Sequence, residues 1–214
     1  MTFKLQSLVL ALIAIAGMAT GPVSFAQEVA VGDAKRGEKL GYTCLGCHGI
    51  PNYKNVMPMY HVPKLHGQSA AYLTVALKAY KSGERSHATM HAHAVSMNDR
   101  DMLDIATFLA GEPVNTAAVK TKGTAPKAAA VCVACHGTNG VGITPDYPIL
   151  AGQHRDYLVQ TLNDYKKGGR KNAVMVGFMG ALTDADIQAL AVFYAAQQPG
   201  LGTVKRRMTF MSSN

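Results

Sequence analysis

Apolar side chains recur along this 214-residue chain at helical rather than strand intervals. Tyr72-Leu73, Ala76-Leu77 and Tyr80 form one stripe at three- and four-residue steps, and Gly83 ends it. Leu158, Thr161-Leu162 and Tyr165 form a second, ended by Gly168. Met102, Ile105, Ala106 and Leu109 fall at i, i+3, i+4, i+7, as do Ile187, Leu190, Ala191 and Tyr194. Each of these last two runs follows a capping-box pattern, Asn98-x-x-Asp101 and Thr183-x-x-Asp186. Asp33 is placed to cap a short helix reaching Gly41, whereas Pro126–Val131 leaves room only for a shorter or irregular counterpart. No stretch alternates long enough for a sheet, so the expected fold class is all-α.

The stripes are copies of each other. Pro63-Lys64-Leu65-His66-Gly67-Gln68 matches Pro148-Ile149-Leu150-Ala151-Gly152-Gln153 at an offset of 85 residues. The same offset relates Tyr72 to Tyr157, Tyr80 to Tyr165, Gly83 to Gly168, Arg85 to Arg170, Met90 to Met175 and Phe108 to Phe193. Two copies do not make a solenoid, so the reading is two tandem domains. Gly111-Glu112-Pro113 closes one helical pattern, and an Ala/Thr/Lys/Gly stretch without apolar periodicity follows. The predicted boundaries are 27–112 for the first domain, 113–127 for a linker and 128–214 for the second domain. Its tail, from Gly202 on, has no capped or periodic pattern and is expected to be mobile.

Residues 1–26 read as a secretory signal: Lys4, the apolar Leu8–Met18, then Ser24-Phe25-Ala26 as a small-x-small cleavage site. The expected location is therefore the periplasm. In an exported chain, four cysteines would ordinarily suggest two disulfides, but their placement points elsewhere. They form Cys44-Leu45-Gly46-Cys47-His48 and Cys132-Val133-Ala134-Cys135-His136, the attachment pattern of c-type haem used twice. A zinc ribbon spaces its cysteine pairs by about 15–20 residues, whereas these lie 88 apart. Neither zinc nor a redox pair requires the trailing histidines. The expected cofactors are two covalently bound haem c groups. Each domain is short for a core made of protein alone, and a buried haem would supply the missing apolar volume.

The formal charge of +8 is unevenly spread. Residues 27–112 carry 9 basic and 8 acidic side chains, and residues 113–214 carry 11 and 5. The basic surplus around Lys166, Lys167, Arg170, Lys171 and Lys205–Arg207 suits an acidic partner or an anionic membrane surface. Nucleic acid is excluded as a partner class, because no basic stripe is interleaved with aromatics.

With two Cys-x-x-Cys-His motifs, the Pro-x-Leu-x-Gly-Gln segments, the Tyr-x-x-Gly-x-Arg stretches, the following methionines and the capped helices, the chain resembles the dihaem cytochromes c4. The resemblance covers essentially everything after the signal. It implies tandem class I cytochrome c domains facing each other about a pseudo-twofold, with a short route between haems. It further implies electron transfer from a cytochrome bc complex or a dehydrogenase to a terminal oxidase. Two other functions compete: a dedicated cytochrome subunit of a dehydrogenase, and a dihaem enzyme such as a peroxidase or thiosulfate dehydrogenase. An enzyme needs a haem with an open or labile position, and paired methionines argue against one.

The sixth ligand therefore decides the chemistry. Met90 and Met175 are the methionine pair at the shared offset, which makes them the candidates opposite His48 and His136. Met97 and Met179 have Leu182 and Ala94 as counterparts and read as packing residues. His87, His91 and His93 neighbour Met90 and read as a polar rim. Each axial histidine needs a partner for its second ring nitrogen. By resemblance that partner is the Pro145 carbonyl in the second domain; in the first it falls within Met57–Pro63. Arg85 and Arg170 are candidates for pairing with haem propionates.

Overall fold

The computed structural model describes residues 31–205; the predicted signal and the residues after Lys205 lie outside it. The first half runs α1 (Ala34–Leu40), a 3-10 turn (Tyr42–Cys44), α2 (Leu45–His48), α3 (Ala70–Ser82), α4 (Ala88–Ala94) and α5 (Asp99–Ala110). The second half replaces α1 with a 3-10 turn (Lys127–Val131) and continues with α6 (Val133–His136), α7 (Arg155–Lys166), α8 (Ala173–Met179) and α9 (Asp184–Ala195). No sheet forms among the described residues, only isolated bridges.

Local chemistry sets these boundaries. The Asp33 side chain accepts from the Lys35 and Arg36 N–H groups to start α1, and Ser69 starts α3. Both predicted capping boxes are formed, Asn98 with Asp101 and Thr183 with Asp186. Gly83 ends α3 at φ +79, and Gly168 follows α7 with the same φ, a region where a side chain is strained.

The α5 stripe buries Met102, Ile105, Ala106 and Leu109 against Leu45, Leu73 and Leu77. The α9 stripe buries Ile187, Leu190, Ala191 and Tyr194 against Leu158, Tyr165 and Met179. The two halves differ where α1 crosses α5. There Asp104, with no accessible surface, accepts from the Asp33 N–H at 2.7 Å and pairs with Arg36 and Arg100.

Two segments depart from the sequence reading. The stretch between the halves lies against the second half: Val119 is buried, and Gln197 exchanges hydrogen bonds with both backbone groups of Lys122. The expected mobile tail begins as an anchored segment, because Gly202 bridges His66 and Val204 is buried. Neither anchor was legible, since each depends on contacts with residues far away in sequence. The Asn52–Tyr60 stretch folds as a hairpin, with Lys54 bridging His61 and Met57 and Met59 exposed at its tip.

Two candidate haem sites

A single helical turn carries each motif. In α2 and α6 the cysteines lie at i and i+3 and the histidine at i+4, so all three side chains share one face. Burial pushes the Cys44 and Cys132 thiols above their ordinary values, the opposite of a reactive redox thiol. Among the described residues no three His, Cys, Asp or Glu side chains converge as a metal cluster, and the two cysteine pairs do not meet.

The histidine rings are held from behind. His48 Nδ1 lies 3.0 Å from the Pro63 carbonyl, and His136 Nδ1 lies 3.2 Å from that of Pro148. A carbonyl can only accept, so Nδ1 carries the proton in both rings and the Nε2 lone pair is free. Burial lowers both imidazole pKa values, which keeps the rings neutral as ligands must be. The expected partner Pro145 is replaced by Pro148. Pro63 and Pro148 open the two matched segments, so the 85-residue offset contained the answer and the family-based expectation missed it.

Around both motifs the matched residues recur in matched surroundings. Cys44, Leu65 and Met90 are half-buried against the first core, and Cys132, Leu150 and Met175 against the second. A cavity of about 390 Å³ is lined by Cys132, Cys135, His136, Met175 and Leu158. The Thr161 and Tyr194 hydroxyls, both on its wall, are buried without a hydrogen-bond partner. Cavity, donors and orphaned hydroxyls fit a bound apolar macrocycle with polar edges. Met179 is core, as expected.

The histidines around Met90 are largely engaged. His87 caps α4 by accepting from the Met90 N–H at 3.3 Å, as Asn172 accepts from Met175 in α8 at 3.1 Å. His91 Nδ1 lies 2.8 Å from the Tyr80 carbonyl.

The same cavity wall reaches residues of both halves, including Gln68, Arg85, Tyr157 and Arg170. Gln68 binds both backbone groups of Ile149, at 2.9 and 3.0 Å, and Gln153 binds both of Lys64, each at 3.0 Å. Lys64 and Ile149 are themselves a matched pair. Such reciprocity is the signature of a twofold contact. Sequence reasoning missed the role of Gln68 and Gln153, although their match was visible.

Next to them Arg85 and Arg170 form a backbone bridge, and each guanidinium lies over two tyrosine rings. Arg85 donates to the Tyr72 hydroxyl at 2.9 Å, and Arg170 to that of Tyr157 at 3.1 Å. Arg170 has Asp164 at 3.7 Å, but Arg85, only 8% exposed, has no carboxylate within reach among the described residues. A buried charge without its counterion is costly. An added carboxylate, such as a propionate, fits that position. Of the basic cluster expected to steer partners, Lys166 is tied back to Leu182 and Asp184 and Arg170 is buried; Lys167, Lys171 and Lys205 are exposed, and Arg206 and Arg207 lie outside the described residues.

Beyond the haem cavity the halves are also clasped. His61 donates from its backbone and faces with Nδ1 the Asp156 carboxylate, at 3.1 and 2.7 Å, and its ring stacks on His154 at 4.5 Å.

Known proteins share this arrangement. The family described as cytochrome c oxidase, cbb3-type, subunit III matches residues 121–193. Cytochrome c4 of Azotobacter vinelandii is 39% identical over 189 residues, covering 77% of this chain and 89% of its own. A thiosulfate dehydrogenase electron acceptor of Stutzerimonas stutzeri is 31% identical over 169 residues, covering 71% and 77%. The reduced recombinant cytochrome c4 of Pseudomonas stutzeri superposes with a TM-score of 0.59 at 28% identity, covering 80% of this chain and all of that one. With a duplicated helical half, two haem-attachment motifs and this extent of identity, the chain belongs to the cytochrome c4 family.

Proposed function

We propose that this dihaem c-type electron carrier works in the periplasm, passing single electrons from a cytochrome bc complex or a dehydrogenase to a terminal oxidase. In this reading the first domain, 27–112, and the second, 128–214, hold one haem each, attached through Cys44 and Cys47 and through Cys132 and Cys135. His48 with Met90, and His136 with Met175, would hold the two irons. When bound, each haem iron supplies a one-electron couple between its ferric and ferrous states.

The residues do the rest. The Pro63 and Pro148 carbonyls fix the imidazole tautomer and raise its basicity. Arg85 and Arg170 hold positive charge where the two halves meet and stabilise the state with one more electron. The Gln68 and Gln153 exchange holds the two halves in one register, so little rearranges on transfer.

The observation that carries this reading is the matched pair Met90 and Met175, each half-buried against the core of its own half; as sixth ligands they would leave no open iron position for substrate. The ferric protein should show the methionine-to-iron charge-transfer band at the red edge of the spectrum with two equivalents of intensity. A high-spin ferric signal, or peroxide turnover, would replace the carrier with an enzyme. A second reading, electron acceptor for a thiosulfate dehydrogenase, draws support from the relative of that name. Co-purification from native membranes separates the two: an oxidase in the complex supports the first, and a thiosulfate-oxidising enzyme the second.

A further inference from the structure

After α9 the chain does not stay with the second half. Leu201 is still held there, its N–H donating to the Ala151 carbonyl at 2.8 Å. The next residues cross. Gly202 and His66 exchange both backbone hydrogen bonds, at 2.9 and 3.0 Å. Val204, 4% exposed, then packs into the first core with Leu45, Leu73 and Met102. Its N–H donates to the carbonyl of His48 at 3.3 Å.

We propose that Leu201–Val204 is a strap through which the second half positions the axial imidazole of the first haem, with Val204 as the positioning residue. This rests on His48 being that haem's ligand. The physical need is plain, because α2 is only four residues long. A helix that short has no cooperative stability of its own, and its last carbonyls lack intrahelical partners. His48 is thus fixed at two points, its ring by Pro63 and its backbone by Val204. The Val204 side chain also covers Leu45, which lies between the two attachment cysteines, and keeps water from the helix behind the ligand.

In the second half the bond from outside the motif is local: the Ile143 N–H donates to the Cys135 carbonyl at 3.1 Å. Among the described residues no backbone N–H of the first half reaches a carbonyl of the second motif, so the strap has no counterpart there, and through it the first haem senses the folding and docking of the second half.

The test uses the intact dihaem protein. Val204→Pro removes the N–H donor, Val204→Ala keeps it and loses packing, and Val204→Ile keeps both. A chain ending at Lys205 is the control for the residues beyond. The first haem is identified as the one whose signals are lost in Cys44→Ala/Cys47→Ala. Val204→Pro should lower the midpoint potential of that haem alone and make its ferric form bind added imidazole several-fold faster. Val204→Ala should shift both readouts less, in the same direction, and Val204→Ile and the control should match the parent. If Val204→Pro does not incorporate haem, Val204→Ala alone decides. Unchanged potentials and imidazole rates, or changes confined to the second haem, overturn the strap. His48→Ala tests the underlying ligand assignment separately: a first-haem spectrum unaffected by that change would remove the ligand and leave the strap without a target.

Discussion

At the scale of single residues, the sixth ligand of the first haem is the sharpest question, because four candidates crowd one segment. Packing separates them. Met90 is half-buried beside the core, whereas His87 is used as a helix cap and His91 faces a carbonyl. Met90→Ala should lower that haem's potential and halve the methionine charge-transfer band, while His91→Ala and His93→Ala leave both nearly unchanged. Bis-histidine spectra that survive Met90→Ala would overturn the assignment. The same logic of burial applies to Arg85. Its charge disfavours ferric iron nearby, so Arg85→Leu should lower at least one haem potential. Arg85→Lys should recover part of that shift, and a potentiometric titration indifferent to both variants would assign the arginine to packing. The duplication made the methionines, prolines and arginines visible in the sequence. It could not say that Arg85 lies where no carboxylate reaches it, because that is a property of the assembled interface.

At the scale of elements, α1, α3, α5, α7 and α9 were legible because local rules fix them: an apolar stripe, a capping side chain, a glycine at the end. The loop expected around Met90 and Met175 is instead helical, as α4 and α8. The α1–α5 crossing was not legible either. A Cβ on Gly37 would lie 1.9 Å from the Asp104 carbonyl oxygen, so the two backbones touch where that glycine sits. Gly37→Ala must push the helices apart, and overpacking of this kind costs about 1–3 kcal/mol. Denaturant unfolding of the holoprotein should show that loss, with the first haem's absorbance changing at lower denaturant than the second's. An unchanged midpoint would mean that α1 can slide along α5 without cost. The second half has no equivalent crossing, because its 3-10 turn at Lys127–Val131 is too short to build one.

At the scale of the whole molecule, the glutamine clamps and the His61–Asp156–His154 clasp are among the contacts that hold the halves in register. Gln68→Ala together with Gln153→Ala leaves the backbone groups of Lys64 and Ile149 unpaired, at a cost of about 1–3 kcal/mol for each clamp. Slower electron exchange between the two haems, with both haems still attached, is the expected result; an unchanged exchange rate would leave the clamps no part in coupling. The His61–Asp156–His154 clasp adds a pH dependence. Burial, then the nearby Lys64 and His61, push the His154 imidazole from 6.5 down to about 4. Burial alone would raise the Asp156 carboxyl, but the His61 hydrogen bonds hold it below its ordinary value. For His154 the folded protein favours the neutral ring. Its contribution is whole above about pH 6.5 and is lost as pH falls toward about 4, while that of Asp156 is lost at still lower pH. His154→Gln should flatten the acid limb of a stability-against-pH curve in that window; a limb of unchanged steepness would place the acid sensitivity elsewhere.

The sequence by itself determined the longer helices, the duplication, the two attachment motifs and the matched methionines, because each depends on residues close together or repeated at one offset. Tertiary structure alone decided three things. It chose Pro148 over Pro145, showing that the carbonyl behind each histidine belongs to the returning segment that opens with a proline in both halves. It brought two glutamines and two arginines, 85 residues apart in each pair, onto one axis. It also carried Val204 back to His48, across more than 150 residues of chain. A backbone N–H is the same in every residue but proline, so its long-range partner leaves no mark in the sequence until the fold brings the two together.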